Sequence, residues 1–157
     1  MKPAFTVLQR RYPKSQKRDV LFHEIGWDDL TNNPAYIDTC AIRMSIGLLG
    51  AGVTLPGARM LAKAGELKGR RIEPGQANLS GILTRLWGKP EKYKDEKAAK
   101  AGIGSRSGVV SFFRIKQLGI PTSAGHIDLT LPGLNGFQEC ARSCFFDAAE
   151  VWFWPLR

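Results

Sequence analysis

From Gly108 onward the hydrophobic period of the chain changes, and that change limits the fold more than any other feature. Before it, apolar residues recur at helical spacing: Ile42, Ile46 and Leu49 follow i, i+4, i+7, and Leu79, Ile82, Leu83 and Leu86 follow i, i+3, i+4, i+7. After it, GVVSFFRI (Gly108 to Ile115), GHIDLTL (Gly125 to Leu131) and EVWFWPL (Glu150 to Leu156) are β-branched, aromatic or alternating, as strands are. FQEC adds the start of a further strand, and PGLNG before it supplies turn chemistry. The spacing therefore predicts helices within Ser15 to Leu30, from about Thr39 to Leu49, and over Ala77 to Trp87. TNNP breaks the first from the second, and Gly88 and Pro90 stop the third. EKYKDEKAAKAG predicts a short helix or an exposed loop. Helices first and an antiparallel sheet afterwards form an α+β layer arrangement. A chain of 157 residues suits one domain, residues 1–157, with a core of useful size.

Net charge is +9, which favours anionic partners such as nucleic acid, anionic lipid or wall polymers. The charge is scattered over Arg10 to Arg18, Lys63 to Arg71 and Lys89 to Lys100, as on a solvated basic surface. There is no aromatic-interleaved RNA-binding signature. Two histidines and three cysteines give no zinc spacing, so we expect no metal and no cofactor. GIGSRSG (Gly102 to Gly108) imitates a phosphate loop, but no strand precedes it and no helix follows, so it reads as a connector. No apolar run approaches the ~20 residues of a membrane span, and the N-terminus lacks the apolar stretch of a Sec signal. These features predict synthesis in the cytoplasm and no membrane insertion. Action elsewhere would require dedicated export machinery.

The cysteines are Cys40, Cys140 and Cys144. The odd count divides into one pair and one free thiol. Only ARS separates Cys140 from Cys144, and we expect a short-loop disulfide there, contributing at most ~2 kcal/mol. Cys40 is then left free. It follows Asp38, a good N-cap, and so falls in the first turn of the second helix, where unpaired N–H groups favour a thiolate. A thiol nucleophile also needs an imidazole to take its proton. His23 sits beside Glu24 in the first helix and reads as a surface residue. His126 opens a strand after Gly125, a residue that lets another backbone or a substrate approach closely. A buried, unreactive cysteine is the competing reading of Cys40.

DTCAIRMSIGLLGAG resembles the nucleophile segment of the type VI secretion amidase effectors, and SAGHIDL resembles their histidine strand. EVWFWPL is similar to their closing aromatic strand. The matches cover roughly a third of the chain, in the family's order. The resemblance implies an NlpC-type, papain-like fold, with N-terminal helices packed on the sheet. It implies a toxin, injected by the type VI secretion apparatus into the periplasm of a rival bacterium. There it would cut amide bonds of peptidoglycan peptide stems or cross-links, and a cognate immunity protein would cover its cleft. Cys40 would be the nucleophile and His126 the general base, with the Cys40 amide in the oxyanion hole. Arg43 would pair with a carboxylate and Ser45 would pack within the helix. The family places an Asp between its two late cysteines to orient the histidine, and here that interval is ARS. Asp128, two residues after His126 on the same strand face, is the candidate in its place, with Gln138 and Glu139 as alternatives. A basic nucleic-acid-binding module without catalysis is the alternative function. Salt-sensitive DNA retention with an inert Cys40 would mark it.

Overall fold

The computed structural model describes residues 1–134 and 137–157; Asn135 and Gly136 of the PGLNG turn lie outside the described residues. The helical half starts earlier than periodicity indicates. Helix α1 (Phe5–Arg11) has only two turns, too short to show a period, and buries Phe5 and Leu8. Helix α2 (Arg18–Glu24) is shorter than expected, and a 3-10 turn at Asp28–Leu30 takes up the rest of that pattern. Between them Trp27 is buried, and its indole N–H donates to the Leu61 carbonyl at 2.8 Å. That bond anchors a small ribbon of β1 (Met60–Leu61) and β2 (Arg71–Ile72), too brief for alternation to reveal in the sequence.

Helix α3 (Cys40–Gly50) is the central element and is buried on nearly all sides, between α1 and the sheet. Gly47 makes the close approach to α1 possible, because a Cβ there would lie 3.2 Å from the Tyr12 Cα. Helix α4 (Gln76–Trp87) follows the expected bounds to within a residue. The charged stretch after it divides into strand β3 (Glu91–Tyr93) and helix α5 (Glu96–Ile103), capped by Asp95, whose carboxylate accepts from the Ala98 amide. The connector at Gly102 to Gly108 leaves a helix and enters a strand, as expected.

The remaining strands are β4 (Gly108–Gln117), β5 (Ile120–Pro121), β6 (His126–Pro132), β7 (Gln138–Cys140) and β8 (Ala148–Pro155). The antiparallel sheet runs β3-β8-β4-β6-β7, with β5 folded back on the end of β4. Period-two alternation sends successive residues to opposite faces. Val109, Ile127, Leu129 and Trp154 join the core beneath α1, α3 and α4, whereas Val110, Phe112, Val151 and Phe153 pack with Ala99 and Ile103 of α5. The result is the expected α+β arrangement, with α5 closing the second face. Among the described residues no helix is long and apolar enough to cross a membrane.

Candidate active site

The N-terminus of α3 and the start of β6 meet at one cavity of about 440 Å³, and both Cys40 and His126 line it. The Cys40 sulfur lies against the Ile127 amide, immediately after His126. The register of β4 and β6 sets Phe112 opposite His126 and Val110 opposite Asp128. His126 and Asp128 therefore share a face, and the His126 Nε2–H donates to Asp128 Oδ2 at 2.8 Å. This fixes the ring tautomer and leaves Nδ1 as the proton acceptor. The ring is wedged between aromatic side chains. Phe112 stacks parallel at a centroid distance of 6.2 Å, and Phe145 meets it edge-on at 5.0 Å.

Asp128 has no exposed side-chain surface, and His126 retains 12%. A buried carboxylate needs hydrogen bonds to be tolerable, and Asp128 has a full set. Oδ1 accepts from the Leu129 amide at 2.7 Å. Besides the imidazole, Oδ2 accepts from the amides of Arg142 at 3.1 Å and Ser143 at 3.0 Å. Those two amides belong to the loop closed by the Cys140–Cys144 disulfide, which is formed, with Cys40 free. The alternatives for the orienting role lie elsewhere: Gln138 donates to the Gly104 carbonyl, and the exposed Glu139 side chain lies over Gly133.

Several expectations need correction. The N-cap of α3 is Thr39, not Asp38. Asp38 instead accepts from the Cys40 amide at 3.0 Å, so the N–H expected to serve an oxyanion already has a carboxylate on it. Nor does the helix terminus yield a ready thiolate. Burial, reinforced by the Asp38 charge, holds the Cys40 thiol far above its ordinary value of 9.0, and the Ile127 amide offsets only part of this. Among the described residues Arg43 pairs with no carboxylate. It is buried and donates to Thr39 Oγ1 at 2.8 Å and to the Pro13 carbonyl at 2.9 Å, fixing the segment that forms one wall of the cleft. Ser45 reaches outside its helix to the Glu73 backbone, donating to its carbonyl and accepting from its amide, each at 3.1 Å. The neighbour that Gly125 admits is a side chain: a Cβ would fall 2.0 Å from Gln76 Oε1. His23 is exposed and bonded to Asp28, as a surface residue should be.

Tyr12 had no motif to mark it. It is buried beside the site, and its hydroxyl has no hydrogen-bond partner among the described residues. Burial, and then the Asp128 charge, raise its pKa far beyond the usual 10.0. Among the described residues no group of metal-ligating side chains occurs.

The arrangement can do acyl-transfer chemistry: a thiol, an imidazole of fixed tautomer and a buried carboxylate, in series at a cavity. No curated protein sequence matches the chain. Solved structures do. The type VI effector Tae4 from Enterobacter cloacae has a TM-score of 0.76 at 21% identity, over 100% of this chain and 98% of that one. The Tae4-Tai4 effector-immunity complex from the same organism gives 0.74 at 21%, and the complex from Salmonella Typhimurium 0.73 at 18%, each covering 100% of both chains. These likenesses show the fold. The sequence model of Tae4, type VI secretion system amidase effector protein 4, matches residues 36–154, which include Cys40, His126, Asp128 and the disulfide loop. The chain thus belongs to the Tae4 family of type VI secretion system amidase effectors.

Proposed function

We propose that the chain, as one catalytic domain over residues 1–157, is a cysteine amidase that hydrolyses peptidoglycan peptide stems or cross-links in the periplasm of target bacteria. The supporting observation is that Cys40 and His126 line one cavity, with His126 bonded to the buried Asp128, in a chain of an amidase family. In this reading His126 Nδ1 takes the Cys40 proton as the sulfur attacks the amide carbonyl. Burial raises the thiol pKa, so the imidazole must take the proton for the sulfur to attack. For the Cys40 amide to hold the oxyanion, the substrate must take it from Asp38. Collapse of the tetrahedral intermediate breaks the C–N bond, and His126 gives its proton to the leaving amine. Water then cleaves the thioester, releasing a carboxylate and restoring the thiol. Asp128 stabilises the imidazolium throughout.

The protein is delivered by the type VI apparatus to the periplasm of the target. A cognate immunity protein protects the producer by covering the cleft, as the existence of Tae4-Tai4 complexes suggests. Basic charge suits anionic wall polymers as it would nucleic acid, so location separates the two. Export to the periplasm of a test strain should lyse the cells, expression in the cytoplasm should be harmless, and Cys40→Ala should abolish lysis while leaving the melting curve in place. Lysis that persists in Cys40→Ala would refute the mechanism, and killing from the cytoplasm would favour nucleic acid.

A further inference from the structure

The Cys140–Cys144 disulfide closes a loop whose middle residues hold the orienting carboxylate. Arg142 and Ser143 lie between the two cysteines, and their backbone amides supply two of the three protein N–H groups besides the imidazole that reach Asp128. Both fall on Oδ2, the oxygen that also receives His126 Nε2–H. Presenting two successive amides to one oxygen demands a tightly turned backbone. The loop lies between β7 and β8, with the Ala141 amide donating to the Leu129 carbonyl at 2.9 Å, and Arg142 and Ser143 are exposed. The Arg142 side chain does bond the Lys14 carbonyl across the cleft.

We infer that the disulfide-closed loop positions the Asp128–His126 pair, so that oxidation of Cys140 and Cys144 completes the active site. The inference rests on the cysteine-amidase reading above. The thiols of Cys140 and Cys144 lose two protons and two electrons as one S–S bond forms. The electrons go to a disulfide oxidant, which is reduced to two thiols by exchange. In a reducing cytoplasm the loop opens, its amides leave Oδ2, and the imidazole loses its fixed orientation. In an oxidising periplasm the pair is set. The protein would thus be least active where it is made and most active where its substrate lies.

Three forms test this: the oxidised chain, the same chain reduced with dithiothreitol, and Cys140→Ser/Cys144→Ser. Hydrolysis of a stem peptide and exchange of the His126 Nε2–H in ¹⁵N NMR are both read. Loss of positioning should lower kcat roughly 10- to 100-fold with little change in KM, and should speed Nε2–H exchange. Oxidised glutathione should restore the reduced wild type, and dithiothreitol should leave the serine variant unchanged. In Asp128→Asn, reduction should have no further effect on kcat, because the loop acts through that carboxylate. A reduced wild type with full kcat and a protected Nε2–H would overturn the inference. If the oxidised enzyme cleaves no stem peptide, the amidase reading fails, while Nε2–H exchange still decides the positioning.

Discussion

At the scale of the residue, chemistry is concentrated in one carboxylate. Asp128 is buried and receives four hydrogen bonds, one of them from the imidazole. Asp128→Asn should fold, since the amide oxygen can keep part of the set, but it offers the imidazole the wrong partner. Steady-state kinetics should show kcat lowered by roughly 10²- to 10⁴-fold, with Glu139→Gln close to wild type. If the two outcomes exchange, the orienting group lies on β7. Sequence spacing was sufficient to set Asp128 beside His126, because alternation along a strand places i and i+2 on one face. It was not sufficient for the thiol. Asp38 and Cys40 sit two apart at a helix start, and both N-capping and thiolate stabilisation follow from that pattern alone. Burial of the sulfur, a property of the packed whole, reverses the second, and the turn geometry shifts the cap to Thr39.

At the scale of the element, α3 carries the proposed nucleophile, and its surroundings are fixed on every side. Arg43 ties it to the segment after α1, and Ser45 ties it to the link between β2 and α4. Replacing Arg43 with Met keeps much of the volume but leaves the Pro13 carbonyl and Thr39 hydroxyl without their donor. Chemical unfolding should show a loss of about 1.5–3 kcal/mol, the usual range for hydrogen bonds to a charged group. A loss below ~0.5 kcal/mol would mean that the wall is held by other contacts. Sequence periodicity located α3, α4 and the long strands β4, β6 and β8, each of which has enough residues to display a period. It missed α1, the β1–β2 ribbon and β3, which have two turns or two to three residues each. The backbone amides of Arg142 and Ser143 have no sequence signature at all, since any residue but proline supplies one.

At the scale of the molecule, helices pack one face of the sheet and α5 the other, and the proposed catalytic groups lie where the first helical layer ends against β6. Two buried acids couple this core to pH. The thiol of Cys40 and the hydroxyl of Tyr12 are both held above their ordinary values of 9.0 and 10.0 by burial. Above about pH 9 the unfolded chain releases these protons and the native chain keeps them, so stability must fall as pH rises. Below that pH both states are protonated and the slope from these groups vanishes. Melting temperatures measured from pH 7 to 11 should decline above pH 9, and Cys40→Ala combined with Tyr12→Phe should flatten the decline. An unchanged slope in the double variant would assign the alkaline loss to other groups.

In the reading proposed above, Cys40, served by His126, cuts amide bonds in the cell wall. Mass analysis of the fragments released from purified peptidoglycan sacculi tests it most directly. Oxidised wild-type protein should release peptide fragments that each end in a newly formed carboxylate or amine within the stem or cross-link, with the glycan strands intact, and Cys40→Ala should release none. Sugar-terminated fragments, or the same peptide fragments from Cys40→Ala, would contradict the account.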